Sequence, residues 1–382
     1  MKGKKNVFYN PFRFGVVVDD SAFCNRVEEI AFLKSQIING YSTWLFSPRR
    51  FGKTSLVEKV FRETRDTKCL YFDLYNISSK DDFCRRYSNI IAKELFNWKE
   101  DINKLTRDLS EAFKRLYPVI SFDESGNPSF SMNLNKIEEQ EDIETILDVP
   151  NRIAQKTQQR ICIAFDEFQE INRIDSFMLH WMRSSFQRHR NISYIFLGSK
   201  QSLMEHIFSS PQAPFYEFAV KMNLSVIERE ELYSFIHERF NNASVPIQDK
   251  TIHTILDKSE NQPHFTQYFA SVVFDLVKAG ADQGDEDFTA VWMNKIIHSQ
   301  GDIFQDMYDQ LTNSQRAALQ AISRLGEEGI YSEEARTKFG LPVSSSLNEA
   351  LKTLQKKGMI YKVEHSFRIA NPVFKEWVIN LV

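Results

Sequence analysis

Several kinds of feature are missing from this 382-residue chain, and each absence narrows what it is. Only four cysteines occur (Cys24, Cys69, Cys84 and Cys162), with neither C-x-x-C spacing nor a disulfide-rich pattern, so thiols packed as small hydrophobes in a reducing compartment are expected. No apolar run approaches the roughly 18 residues a spanning helix needs. The basic start Lys2 to Lys5 is not followed by a long apolar segment, because Pro11, Arg13 and Asp19 interrupt it. A soluble, cytoplasmic protein without membrane attachment is therefore expected. Charge of one sign is also lacking: a formal net charge of -3 gives no global pull toward nucleic acid. An N-K-x-D guanine-recognition segment is missing too, since Asn294-Lys295 is followed by Ile296-Ile297.

What is present is ordinary globular composition, 42% hydrophobic and 26% charged, in a chain too long for one core. The 32 phenylalanines recur in apolar segments and read as core. The chain is organised around Trp44-Leu45-Phe46-Ser47-Pro48-Arg49-Arg50-Phe51-Gly52-Lys53-Thr54-Ser55-Leu56. It reads as a buried strand, a turn, then Gly-Lys-Thr opening a helix. That is the phosphate-binding loop with one departure, Ser47 where the pattern G-x-x-x-x-G-K-[ST] has its first glycine. Gly52 lets the backbone approach an anion, and successive amides at the helix N-terminus point at it. Lys53 is expected to reach β- and γ-phosphates, Thr54 to ligate Mg²⁺, and Pro48 to Ser55 together to cradle the nucleotide.

A second constellation follows 113 positions after Lys53, where Arg160-Ile161-Cys162-Ile163-Ala164-Phe165 ends in Asp166-Glu167. This has the form of a Walker B strand. A carboxylate at the edge of a buried strand can hold the Mg²⁺ shell, and a second beside it can deprotonate water. Asp166 is assigned to the metal and Glu167 to the water. Another apolar run, Ile192 to Leu197, ends in Gly198-Ser199. Ser199 either senses the γ-phosphate or simply starts the next turn. Arg183, Arg188 and Arg190 are read either as a solvated helix face or as the source of an arginine finger.

The order β-α-β-α around the loop predicts an α/β core with a mainly parallel sheet over 1–223. The stretch from about 100 to 137 reads as a hairpin insertion, Val119 to Met132, with an amphipathic helix from about Ile143 to Thr157 after it. Asn25 is expected to cap an earlier helix, with Glu28 as its capping-box partner. Residues 224–305 read as helices only, the first capped by Ser225 and a later one running Phe265 to Lys278. Such a bundle suits a lid, in which His264 is either a nucleotide contact or a packing residue. Residues 306–382 follow the order helix, helix, helix, hairpin of a winged helix-turn-helix. From 309 to 382 ten lysines and arginines face eight acids, a balance of about +2. Ser344, Ser345, Ser346, Asn348 and Lys352 offer a groove contact, so DNA and a protein or intramolecular partner both stay open.

Phe23-x-Asn25-Arg26-x-x-Glu29, the loop Pro48 to Ser55, the Asp166-Glu167 strand end and the Gly198-Ser199 strand end occur in the order of a known group. They resemble the archaeal-type P-loop ATPases of the STAND class, within the wider AAA+ assemblage. The likeness continues through Asn261-Gln262-Pro263, where that family carries a Gly-x-Pro turn, and into the C-terminal winged helix. It implies a slow, Mg²⁺-dependent hydrolysis of ATP to ADP in a nucleotide-driven switch, with an undefined protein partner and nucleotide-dependent homo-oligomers. The departures are Ser47, Asn25 and Asn261, each in place of a glycine. The alternatives are a nucleotide-controlled DNA-binding regulator and an ATP-binding scaffold that does not hydrolyse.

Overall fold

The buried apolar runs of the first half become the strands of one parallel sheet. The computed structural model describes residues 9–95, 116–122, 128–134, 140–325, 329–363 and 366–381. Its strands are β1 (Thr43–Phe46), β2 (Thr67–Asp73), β3 (Leu116–Phe122), β4 (Pro128–Leu134), β5 (Arg160–Asp166), β6 (Ile192–Gly198), β7 (Val220–Asn223), β8 (Ile360–Val363) and β9 (Ser366–Ile369). Five of them form a sheet in the order β2-β5-β6-β1-β7, and every pair in it is parallel. β1 and β6 are buried at every position, which is why they read as uninterrupted apolar runs. β7 has a single buried side chain, Met222. An edge strand with so little apolar signal was not anticipated from the sequence.

The chain forms two units, one made of Arg26–Ser47 and Leu56–Leu224, the other of Met1–Asn25, Pro48–Ser55 and Ser225–Val382. The first holds the sheet and an aromatic core. Phe165 stacks on Phe196 at 5.9 Å, and Phe168 lies 4.5 Å from the same ring. Both phenylalanines flank Asp166-Glu167, so burial on either side fixes the turn that carries the carboxylates. β3 and β4 pair antiparallel as a separate two-stranded sheet, Leu116 opposite Leu134. They take no place in the five-stranded parallel sheet; residues 96–115, 123–127 and 135–139 of that stretch lie outside the described residues. The capping box is not formed. The helix Val27–Asn39 begins after Arg26, which sits at φ 71 and binds Glu29 at 2.7 Å, and no side chain caps it.

The other unit has one apolar core running through the helices Arg229–Asn242, Asp249–Ser259, Pro263–Lys278, Phe288–His298 and Gly301–Asp309 and into the C-terminal domain. Ser225 does not cap the first of these, whose N-cap is Glu228. The winged-helix order is observed: helices Asn313–Leu325, Glu333–Phe339 and Ser344–Lys356, then the antiparallel pair β8 and β9. A closing helix, Pro372–Asn380, was not foreseen. It is tied back to the helix Asp249–Ser259 and its C-cap by Lys258 to Glu376 at 2.7 Å and by Lys375 to Glu260. No helix of the described residues is long and apolar enough to cross a membrane.

The N-terminal segment is part of this second core. Phe12 is buried 5.5 Å from Phe240 and 6.2 Å from Phe274, while the Asn10 amide donates to the Ser271 carbonyl at 3.0 Å and to Asp275 at 2.9 Å. Phe12→Ala deletes a buried ring at a site lined by three others. It is expected to destabilise the protein by about 3–5 kcal/mol, read as a lowered urea midpoint with the slope unchanged.

Candidate functional site

The loop is held from within its own unit. Arg50 and Gly52 take positive φ, 71° and 87°, and helix Lys53–Glu63 begins directly after them. Glycine takes this conformation without penalty; Arg50 is the position where an L side chain bears it. Phe51 is only 2% exposed, with its ring 5.8 Å from Tyr361 of β8 in an edge-to-face contact. The Arg50 guanidinium stands 5.4 Å over the Phe265 ring. Ser55 Oγ accepts from the Val18 amide at 3.2 Å. Lys53 is 7% exposed, and its ammonium donates to the Pro48 carbonyl at 3.2 Å. Pro48 has no N–H, so it offers the loop a carbonyl rather than an amide. Phe51 serves as an apolar anchor, a role the sequence pattern did not distinguish from nucleotide contact.

The carboxylates occupy the sheet unit. Parallel register sets Phe46 opposite Gly198 and Asp73 opposite Asp166, so the C-terminal ends of four strands share one rim. β1 ends there, and the Ser47 amide donates to the Gly198 carbonyl at 3.3 Å. Asp166 is 9% exposed; its Oδ1 accepts from the Glu167 amide at 2.8 Å and its Oδ2 from the Tyr71 hydroxyl. Glu167 adopts φ 51, a left-handed conformation unusual for glutamate. Its Oε2 accepts from Ser199 Oγ at 2.6 Å and from the Gln169 amide. The rim therefore brings Asp166, Glu167 and Ser199 together. Next along the chain, Glu170 takes Lys200 and Arg173, each at 2.8 Å. Burial acts to raise the Glu170 carboxyl, but the two cations outweigh it and hold the group below its ordinary value.

Two partners of these carboxylates, Tyr71 and Gln169, were missed by sequence reasoning. Tyr71 belongs to β2, whose residues carry no motif of their own. The one available signal for Gln169 was a polar residue between Phe168 and Ile171 just past the strand. Gly198 contributes by what it lacks: a Cβ there would stand 2.4 Å from Met204 and 2.8 Å from Gln169 Oε1. Of the candidate arginines, Arg183 donates to the Pro214 carbonyl at 2.9 Å and covers Phe218, and Arg188 pairs with Asp148 at 3.3 Å. His264 packs edge-on to Phe265 at 4.9 Å and Phe14 at 6.2 Å.

A five-stranded parallel sheet with paired carboxylates at the end of β5, in a chain whose β1 is followed by the phosphate-loop sequence, defines a P-loop ATPase core. Residues 23–260 match the ATPase domain found predominantly in Archaea, and the chain belongs to that family. Residues 302–380 match a probable winged helix domain. Among solved structures, the Walker-type ATPase Paby2304 of Pyrococcus abyssi is 17% identical over 94% of this chain and 97% of its own, with a TM-score of 0.63. The Aeropyrum pernix ORC2 protein, solved as ADPNP–ADP complexes, is 15% identical over 97% and 98%, with a TM-score of 0.54. At such identities the likeness establishes the fold. No curated protein sequence matches the chain.

The His264 imidazole is pushed down from 6.5 to about 4, first by burial and then by the Arg50 guanidinium. In the unfolded chain the group protonates at its ordinary value. The native state is therefore penalised as pH falls below that value, and stability rises again with pH. Between pH 7 and 4 this one group is expected to cost about 3 kcal/mol. His264→Gln should flatten that part of the pH dependence of the urea midpoint.

Proposed function

We propose that the protein is a Mg²⁺-dependent, ATP-hydrolysing switch of the STAND type, organised as a core (1–223), a lid (224–305) and a winged helix (306–382). The observation that carries the hydrolytic reading is the carboxylate pair at the end of β5, with the Glu167 oxygen Oε2 held by Ser199 at 2.6 Å. In this reading Lys53 exchanges the Pro48 carbonyl for phosphate oxygens, and the amides of Arg49 to Ser55 complete the cradle. Thr54 and Asp166 hold the metal. One hydroxyl and one carboxylate suit Mg²⁺, which keeps waters and phosphate oxygens for the rest of its shell. When bound, the ion neutralises charge developing on the β- and γ-phosphates. Glu167 removes a proton from the attacking water, and Ser199, already bonded to that carboxylate, reports the γ-phosphate to it. A cytoplasmic setting accords with four cysteines that form no disulfide among the described residues. The output is association with a protein partner or a second copy of the chain.

Binding and turnover of MgATP test this in three proteins. Lys53→Ala is expected to weaken ATP binding by about 10- to 100-fold, the worth of a charge-assisted contact. Glu167→Gln should bind ATP as the wild type does and lose about 10²- to 10⁴-fold in kcat. Binding without turnover in the wild type would replace the switch by a scaffold.

A second reading rests on the helix Ser344–Lys356, whose Ser344, Ser345, Ser346, Asn348 and Lys352 are all exposed. Lys352 is paired with Glu349 at 2.9 Å, which dilutes its charge. If this face binds duplex DNA, affinity should fall steeply with salt, and Lys352→Ala should reduce the slope of log K against log salt by about 1. No binding at low salt would leave the protein-partner reading alone.

A further inference from the structure

Gln169 is the residue on the rim whose presence needs explaining. It is 2% exposed, and its amide nitrogen donates to Glu167 Oε2. Its own carbonyl oxygen, Oε1, is buried with no hydrogen-bond partner among the described residues. A buried, unpaired carbonyl destabilises the folded state, and an apolar side chain of the same length would avoid that loss. The surroundings are nevertheless built for this amide, because a Cβ on Gly198 would stand 2.8 Å from Oε1. What the molecule receives in return is a second donor on the oxygen that Ser199 already holds at 2.6 Å.

We propose that Gln169 is a positioning residue for the general base. It rests on the reading that Glu167 takes the proton of the attacking water. Glu167 leaves β5 in a left-handed conformation, and the rotation of its carboxylate is left to the groups that bond it. Two donors of different origin, one on the turn after β5 and one past the end of β6, converge on Oε2. They fix the plane of the carboxylate and leave Oε1 to receive the proton. In the step so served, the water O–H bond breaks and its proton passes to Oε1. The water oxygen bonds to the γ-phosphorus, and the bond to the bridging oxygen breaks, its electron pair leaving with ADP. Gln169 touches none of the reacting atoms; it acts through Glu167.

The test uses the full chain with MgATP and five variants: Gln169→Met, Ser199→Ala, Ser199→Thr, the double Gln169→Met, Ser199→Ala variant and Glu167→Gln. Gln169→Met keeps length and removes both the donor and the orphaned carbonyl. It is expected to lower kcat about tenfold, with KM within about twofold. The thermal midpoint should be unchanged or higher. Ser199→Ala should do the same to kcat, and Ser199→Thr, which keeps the hydroxyl, should restore it. The double variant should lose less than the product of the singles or more, but not that product, because both side chains hold one oxygen. Wild-type kcat in Gln169→Met beside an inactive Glu167→Gln overturns the proposal and leaves the base assignment standing. A lowered midpoint with kcat per folded molecule unchanged also overturns it, by showing a structural role. If Glu167→Gln keeps full turnover, the base assignment fails and the proposal with it. Should Gln169→Met not fold, Gln169→Leu, which also removes the donor and the orphaned carbonyl, takes its place with the same two outcomes.

Discussion

Two adjacent carboxylates at the end of a buried strand are tenable only if their oxygens find donors. Asp166 and Glu167 meet that demand in four ways: a main-chain amide, the Tyr71 phenol, the Ser199 hydroxyl and the Gln169 amide. Two of the donors, the main-chain amide and Gln169, lie on the same turn, while Tyr71 and Ser199 come from the neighbouring strands and require those strands to be in register. A shift of β2 by one residue would turn Tyr71 to the opposite face, and a Cβ on Gly198 would intrude on Gln169. The dense phenylalanine packing beneath, from Phe165 and Phe168 to Phe196, supports the polar rim by denying the turn any alternative position.

The loop obeys a different constraint. Its backbone must present amides outward, so its one large apolar side chain has to be buried elsewhere. Phe51 meets that need against Tyr361, and the Arg50 guanidinium stands over the Phe265 ring. The loop is therefore braced by residues more than two hundred positions away in sequence. A short motif can announce a phosphate site without revealing what keeps it in shape.

That asymmetry explains what was legible in the sequence. Central strands, the loop, the acidic strand end and the winged-helix order all announce themselves through local runs, since burial on both faces or a fixed helical period leaves a continuous trace. β7 left none, because an edge strand with one buried residue looks like any polar connection. The cap at Asn25 failed for a related reason: Arg26 went to a left-handed conformation and paired with Glu29, and the box geometry was lost. Tyr71 was invisible because its role is set by a neighbour across the sheet, and Gln169 because the turn after β5, not a local pattern, folds it back onto Glu167. Local chemistry could be read; its support could not.

The unit that contains the loop is assembled from three separated pieces of chain. During synthesis at about 5–20 residues per second, Phe12 emerges on the order of 10–50 s before Phe274, the ring it must pack against. Phe51 waits still longer for Tyr361. The sheet unit, complete by Leu224, can close on the ribosome while the loop's braces are still unmade. The contacts that brace the loop, Phe51 on Tyr361 and Arg50 over Phe265, thus form only after the C-terminal piece of that unit has been made.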